Sequence, residues 1–164
     1  MMYPEVLYVM AEDLISACQE KGLKLTLAES CTGGLLAGCI TSVAGASHVF
    51  ERGFVTYSNK SKGELLGVPA YVFMEHGAIS APCAIAMAEG ALTHAKAELS
   101  AAITGIAGPG GGTNDKPVGL VFIACAREGF ETVLERHQFS GDRERVRLQS
   151  VESALRLLNQ VAGR

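Results

Sequence analysis

Apolar positions recur at helical spacing close to both ends of the chain. Near the start these positions are Val6, Leu7, Met10, Leu14, Ile15 and Cys18, and Gly22 follows them as a natural stop. The spacing predicts a helix over residues 5–21. Near the end, Asp142 to about Val161 forms a second amphipathic segment, with Val146, Val151, Leu155 and Leu158 on one side. Each helix is therefore expected to turn one apolar face towards a core.

Shorter apolar runs between these two helices predict a sheet. The expected strands cover residues 23–27, 54–57, 99–104, 118–125 and 132–139, and the last two form a hairpin around Glu128-Gly129. Helices are expected over residues 35–40, 60–66 and 81 to about 98, with Ser80 as the N-cap of the third. Interleaved helices and strands indicate an α/β fold: a layered α/β/α single domain, residues 1–164, with a central mixed sheet.

Composition narrows the range of partners. The 164 residues are 48% hydrophobic and 19% charged, which suits one globular domain. The net charge of -3 provides no basic excess for a nucleic-acid backbone, so nucleic acid is not expected as a partner. No apolar run is long enough to span a bilayer, and the start of the chain does not resemble a signal peptide. The five cysteines form no Cys-x-x-Cys pair, and we expect a cytoplasmic protein with reduced thiols and no membrane partner.

Ser30 lies in the segment Ala28-Glu29-Ser30-Cys31-Thr32-Gly33-Gly34, which is expected to be a turn between a strand and a helix. The N–H groups and partial positive charge of a helix N-terminus favour an ionised hydroxyl and an oxyanion. These properties make Ser30 a candidate nucleophile. Position alone favours a simpler interpretation, in which Ser30 or Thr32 caps the helix. Cys31 is a rival nucleophile, because a helix N-terminus lowers the pKa of a thiol.

A nucleophilic serine needs a base, and the segment Thr56-Tyr57-Ser58-Asn59-Lys60-Ser61-Lys62 offers two lysines beside a tyrosine. A lysine that is desolvated next to a serine has a lowered pKa and can accept its proton. The spacing matches no general catalytic motif, and a solvated turn is the interpretation that position alone favours. None of the four histidines lies in a recognisable motif, and Glu29 and Asp115 have no neighbouring ligands for a metal. We therefore expect no metal and no cofactor.

Two further segments are candidates for anion binding. The loop from Gly105 to Gly112 follows Thr104 and contains five glycines, whose backbone N–H groups can surround a phosphate. It matches neither a Walker motif nor Gly-x-Gly-x-x-Gly. Arginines occupy positions 143, 145 and 147, at the start of the last helix, where cations are normally unfavourable. An anionic ligand would offset that conflict, but solvated pairing with Asp142 and Glu144 explains it equally well.

Taken together, these segments resemble the C-terminal domain of the CinA family of competence/damage-inducible proteins, especially its stand-alone nicotinamide-nucleotide amidohydrolases of the PncC type. The resemblance rests on residues 28–34, 55–59, 76–80, 104–112, 116–119 and 140–143, in order along nearly the whole chain. CinA proteins often carry a further amino-terminal domain, which we do not expect here.

The resemblance implies hydrolysis of nicotinamide mononucleotide to nicotinate mononucleotide and ammonia. It assigns catalysis to Ser30, Tyr57 and Lys62, with Lys62 favoured over Lys60 by register and Tyr57 relaying or orienting a proton. Backbone N–H groups near residues 31–34 would stabilise the oxyanion. The expected substrate-binding residues are Cys31, Thr32, Gly33, Gly34, Thr104, Gly105, Gly108, Gly110 and Arg143, with Arg143 favoured for the phosphate. The expected partner is a small nucleotide, and a homo-oligomer, a dimer or higher, is possible. Two alternatives stay open: an amidase for another small amide, and a binding module without catalysis.

Overall fold

The fold is built on one five-stranded sheet, as seen in a computed structural model that describes residues 1–164. The strands are β1 Leu25–Glu29, β2 Phe50–Val55, β3 Leu99–Gly105, β4 Leu120–Arg127 and β5 Val133–Gln138. Their order across the sheet is β2-β1-β3-β4-β5. β1 is parallel to β2 and β3, whereas β4 is antiparallel to both β3 and β5. The predicted mixed sheet is confirmed.

Helices cover both faces of this sheet and confirm the layered α/β/α architecture. They are α1 Glu5–Lys21, α2 Leu35–Thr41, α3 Asn59–Leu66, α4 Ala70–His76, α5 Ala81–His94 and α6 Arg143–Ala162, with a 3₁₀ turn at Ala46–His48. One core lies between the sheet and α1, α2 and α6, and large side chains such as Leu27, Ile103 and Ile123 fill it. The other lies beneath α5, where the sheet contributes Ala28, Ala102 and Ala124. Small side chains on that face let α5 approach the sheet closely.

Caps are present at three helices, and those at Gly22 and Ser80 were predicted. Gly22 ends α1 in the left-handed conformation, with φ of 66°. The Ser80 hydroxyl accepts a hydrogen bond from the amide of Cys83 at the start of α5. Asp142 caps α6 by accepting from the amide of Arg145. These local signals fix helix boundaries because they act within one turn of the chain.

The strand boundaries differ from those predicted, and burial explains the difference. β1 begins and ends two residues later than the predicted strand 23–27, so Ala28 and Glu29 belong to the strand and not to a turn. β1 is central and all five of its residues are buried, so no alternation marks its ends. Thr26 is a polar residue within this strand, yet it is fully buried and its hydroxyl donates to the carbonyl of Arg52.

The boundaries of several other elements also differ from the predicted ones. β2 starts at Phe50 and ends at Val55, against the predicted 54–57, because it is an edge strand whose polar positions conceal its first half. α5 ends at His94, short of residue 98. β4 runs two residues later than predicted, and β5 is one residue shorter at each end. α4 and the 3₁₀ turn were not predicted.

The topology brings the ends of three parallel strands to one edge of the sheet. Ser30 follows β1, Thr56 follows β2 and Ile106 follows β3. α6 also begins near this edge, since Arg143 contacts the carbonyl of Gly108 in the loop after β3. Ligands of α/β proteins bind outside the carboxyl ends of parallel strands, so this edge is the place to look for a site. None of the helices combines the length and apolarity that a bilayer crossing requires.

Candidate active site

Ser30 is held at the end of β1 by backbone contacts on both sides. Its amide donates to the carbonyl of Ile103 on β3 at 3.0 Å, and its carbonyl accepts from the amide of Gly33 at 3.0 Å. Gly33 and Gly34 have φ values of 56° and 101°, which side chains disfavour, so the glycines allow the tight reversal into α2. Ser30 is only 7% exposed. The sheet and the turn therefore fix the backbone of Ser30.

Lys62 reaches Ser30 from α3, the helix that follows the neighbouring strand β2. Ser58 caps this helix by accepting from the amide of Ser61 at 3.0 Å. Lys62 is 1% exposed, and its Nζ lies 3.0 Å from Ser30 Oγ. The same Nζ donates to the carbonyl of Thr56 at 2.9 Å and lies 3.3 Å from the carbonyl of Tyr57.

Burial lowers the pKa of Lys62, because an ammonium group loses its hydration there. The three contacts also decide how a neutral amine would be oriented. The two carbonyls only accept hydrogen bonds, so they take the two N–H groups of the amine. The remaining lone pair of Lys62 is then matched with the hydroxyl of Ser30, which can donate. A neutral Lys62 in this position is arranged to receive the Ser30 proton.

Lys60, the other lysine of the segment, lies elsewhere. Its side chain is 84% exposed and forms an ion pair with Glu64 at 3.7 Å on the outer surface of α3. The structure therefore brings Lys62, and not Lys60, to Ser30.

Tyr57 occupies the outer part of the site. Its hydroxyl accepts a hydrogen bond from Arg143 Nη2 at 2.9 Å, and the residue is 60% exposed. The hydroxyl makes no hydrogen bond with Ser30 or Lys62. Tyr57 contacts the buried pair only through its main-chain carbonyl. In this structure the side chain belongs to the wall around Arg143 and does not form a proton relay with the serine.

These residues surround a cavity of about 410 Å³. That volume falls within the range of about 300–1,000 Å³ typical of small-molecule sites. Eight of the predicted site residues line it: Ser30, Cys31, Tyr57, Lys62, Gly105, Gly108, Gly110 and Arg143. The lining contains the cationic side chains of Lys116 and Arg143 together with the amine of Lys62, and no carboxylate or histidine. The cavity is therefore electropositive and suited to an anion.

Four predicted binding residues do not line the cavity. Thr104 is fully buried, and its hydroxyl donates to the carbonyl of Ala78, which ties the start of α5 to the sheet. Thr32 is also fully buried. Gly33 and Gly34 serve the turn that leads into α2. Thr32 and these two glycines follow Ser30 closely in sequence, so they can serve the site only through backbone groups next to Ser30 and not as part of the cavity lining.

Glu29 has a structural role at the site that the sequence interpretation missed. It is 1% exposed, and its carboxylate accepts hydrogen bonds from the amides of Leu36 at 2.9 Å and Ala37 at 3.0 Å. The positive end of α2 is therefore occupied by a carboxylate of the same chain. The expectation that this helix end would favour an ionised Ser30 is corrected accordingly. No local motif places a carboxylate so far ahead of its helix, so sequence carried no signal.

The turn still contains free backbone donors. The amides of Thr32 and Gly34 have no hydrogen-bond partner within the protein, unlike the amide of Gly33, and the amide of Cys31 contacts only its own thiol. Amides of this kind, next to a nucleophile, are the usual donors to an oxyanion.

Two arginines on one face of α6 bind backbone carbonyls around the site. Arg143 Nη1 donates to the carbonyl of Gly108 at 2.8 Å. One helical turn later, Arg147 donates from Nε to the carbonyl of Cys31 at 3.2 Å and from Nη2 to that of Thr32 at 2.9 Å. Neither arginine pairs with Asp142 or Glu144. Backbone carbonyl oxygens, and not carboxylates, therefore accept hydrogen bonds from both arginines.

Cys31 lines the cavity, but burial raises the pKa of its thiol to about 11. A contact with its own backbone amide and the nearby charges of Arg147 and Lys62 lower this pKa, but they do not outweigh burial. The expectation that the helix N-terminus lowers this pKa is therefore wrong. A protonated thiol is a poor nucleophile, which leaves Ser30 as the better candidate. All five cysteines are free and buried.

Lys116 was quoted only as part of a motif and received no role. The structure places it in the cavity lining, with its Nζ bound to the carbonyl of His76. Asn59 and Thr113 line the cavity as well. The chain contains no group of three or more His, Cys, Asp or Glu side chains that could hold a metal ion.

Comparison with known proteins gives a consistent family relationship. The model of the CinA C-terminal domain matches residues 7–162. The nicotinamide-nucleotide amidohydrolase PncC of Escherichia coli K12 is 47% identical over 151 residues, covering 92% of each chain. A putative competence-damage inducible protein of Caldicellulosiruptor bescii is 47% identical over 152 residues, and the match spans 93% of this chain but only 37% of that protein. The structure of the competence/damage inducible protein CihA of Agrobacterium tumefaciens superposes with a TM-score of 0.97 at 39% identity, covering 100% of this chain and 99% of that one.

Proposed function

The chain belongs to the CinA C-terminal domain family, and from that premise we propose that it is a nicotinamide-nucleotide amidohydrolase that uses Ser30 as nucleophile. The substrate class comes from the similarity to PncC, which extends over nearly the full length of both proteins. The chemistry rests on one observation: the buried amine of Lys62 lies 3.0 Å from Ser30 Oγ at the base of an electropositive cavity.

Acylation follows from this contact. Ser30 Oγ attacks the carboxamide carbon while its proton passes to the neutral amine of Lys62. The carbonyl oxygen becomes an oxyanion, which the free amides of Cys31 and Thr32 are available to bind. The ammonium group of Lys62 then donates a proton to the amide nitrogen. The C–N bond breaks, ammonia leaves, and an ester on Ser30 remains.

Deacylation reverses these proton movements. Water attacks the ester carbon and gives its proton to Lys62, which has returned to the neutral form. The proton passes to Ser30 Oγ as the ester bond breaks. The product leaves as a carboxylic acid, which loses its proton to ammonia or water and becomes a carboxylate, and the enzyme regains its starting state. All the groups that move protons or attack carbon in these reaction steps belong to the protein or to water.

We assign the phosphate of the nucleotide to the outer half of the cavity. Arg143 retains N–H groups beyond those bound to Gly108 and Tyr57, and its guanidinium matches phosphate geometry. The amides of Gly108, Gly110 and Gly111 have no partner within the protein. A glycine loop with free amides opposite an arginine supports an anion at this end, which leaves the carboxamide at the Ser30 end.

Two further expectations belong to this proposal. Five free cysteines suit a reducing compartment, so we place the protein in the cytoplasm. Assembly into a homo-oligomer stays a prediction.

The proposal is tested by measuring ammonia release from nicotinamide mononucleotide, nicotinamide riboside and nicotinamide, with heat-denatured protein as the blank. We expect strong preference for the mononucleotide, together with nicotinate mononucleotide as the product. Preference for an unrelated small amide would establish the alternative amidase. Binding of the mononucleotide without ammonia release would establish a binding module.

A further inference from the structure

The free amides beside Ser30 are the ends of two hydrogen-bond chains that begin at Arg147. In the shorter chain, Arg147 Nε donates to the carbonyl of Cys31 at 3.2 Å. That carbonyl belongs to the peptide unit whose N–H is the amide of Thr32. The amide of Thr32 has no partner within the protein. One peptide unit therefore separates the guanidinium charge from a free donor.

The longer chain passes through two peptide units. Arg147 Nη2 donates to the carbonyl of Thr32 at 2.9 Å, which belongs to the same peptide unit as the amide of Gly33. The amide of Gly33 donates to the carbonyl of Ser30 at 3.0 Å, and this peptide unit ends in the amide of Cys31. The amide of Cys31 has no partner in any other residue and contacts only its own thiol. Both chains thus start at one cation and end at donors flanking the nucleophile.

Hydrogen bonds in such chains strengthen one another. A donor bound to a carbonyl draws electron density towards the oxygen and makes the N–H of the same peptide unit more positive. The effect is larger when the donor is charged, and it acts here beside a buried hydroxyl where solvent screens it little. The bidentate contact also fixes the orientation of both peptide units, which a single-point contact would not.

We propose that Arg147 is a positioning residue that orients and polarises the amides of Cys31 and Thr32 for the oxyanion of the reaction. It acts through the backbone and does not touch the substrate. The inference rests on the proposed function for its kinetic readout only. It also gives a role to a member of the arginine cluster that phosphate binding does not use.

The test compares Arg147→Ala and Arg147→Lys with Arg145→Ala, which removes the same charge from an exposed position on the same helix. We expect Arg147→Ala to lower kcat for nicotinamide mononucleotide about 10- to 100-fold, less than direct loss of an oxyanion donor. KM should stay within about twofold, because the ground-state amide carries no oxyanion. Arg147→Lys keeps the charge but loses the fork, so its kcat should lie between those of Arg147→Ala and wild type.

Two further readouts separate this role from a structural one. The pH profile of kcat should keep its midpoint in Arg147→Ala, because Lys62 is untouched. In NMR spectra of the ligand-free protein, the amide protons of Cys31 and Thr32 should move upfield in Arg147→Ala relative to Arg145→Ala. This second readout needs no turnover. It decides the inference even if the wild type fails to hydrolyse the nucleotide, a result that would defeat the proposed function alone.

Three results would overturn the inference. One is equal kcat in folded Arg147→Ala and Arg145→Ala. Another is a displaced pH profile in Arg147→Ala, which would locate the effect at Lys62. The third is unchanged amide proton shifts. If Arg147→Ala does not fold, the same three comparisons are made between Arg147→Lys and Arg145→Ala.

Discussion

The two halves of the cavity differ in how much solvent reaches them. In the inner half, Ser30 is 7% exposed and Lys62 is 1% exposed, and backbone groups fix both. In the outer half, Tyr57 is 60% exposed, and Arg143 and Gly110 are exposed as well. Electrostatic interactions are strong where water is excluded and weak where it is not. The inner half is therefore suited to chemistry, whereas the outer half is suited to recognition of a charged group.

Among the substitutions that compare the two halves of the cavity, replacement of Lys62 in the inner half should lower kcat most. We expect Lys62→Ala to lower kcat about 10²- to 10⁴-fold, the range typical of a general acid–base group. Lys60→Ala is the matched control, since Lys60 lies on the same helix and pairs only with Glu64. It should keep kcat within about twofold, as expected for an exposed ion pair. Equal kcat values for the two variants would remove Lys62 from the mechanism.

Replacement of Arg143 should affect recognition more than chemistry. Wild type should prefer nicotinamide mononucleotide over the riboside in kcat/KM, and Arg143→Ala should lose about 10- to 100-fold of that preference, corresponding to a charge-assisted hydrogen bond of about 1.5–3 kcal/mol. The loss should appear mainly in KM and should shrink at high salt, because the outer half is open to screening. A variant with unchanged preference would place the phosphate elsewhere.

The pH dependence of kcat reports on the inner half. The working form of Lys62 is the neutral amine, and burial lowers its pKa below the ordinary value of 10.5. Activity should therefore rise with pH, about tenfold per unit below the pKa of Lys62, and level off above it. Activity that falls as the pH rises would show that the protonated amine is the working form.

Cys31→Ser should have the smallest effect. Burial keeps the thiol protonated at neutral pH, so its loss removes no nucleophile. We expect kcat to stay within about fivefold of wild type, with the loss reflecting repacking of a buried side chain. A variant without activity, but with unchanged thermal unfolding, would transfer the nucleophilic role from Ser30 to the thiol.

The sequence allowed the residues of the inner half to be named, but it did not predict the contacts that surround them. The amphipathic patterns of α1 and α6 and the signals at Gly22 and Ser80 are local, and they gave α1 and α6 nearly correct bounds and α5 its correct start. Ser30 and Lys62 could be named as candidates, but position alone did not favour either. Their contact depends on two parallel strands meeting at one sheet edge, which no local pattern encodes.

The surrounding contacts could not be predicted for the same reason. Arg147 and Thr32 are 115 positions apart in sequence, and only the packing of α6 brings them together. Glu29 was expected in a turn, yet it ends a strand and caps α2. Thr104 precedes the glycine-rich loop and was expected at the ligand, yet its hydroxyl stabilises the fold from within. A residue next to a functional loop in sequence can therefore be buried in the fold without lining the cavity.

The central claim is that Ser30 performs the chemistry, and the most direct test is the rate of ammonia release from nicotinamide mononucleotide by wild type and Ser30→Ala. The two proteins should unfold at similar temperatures, because the substitution removes one small hydroxyl. The account predicts that Ser30→Ala loses about 10³-fold or more of kcat while still binding the nucleotide, as expected when a covalent nucleophile is removed. A folded Ser30→Ala protein that releases ammonia at a rate close to that of wild type would contradict it.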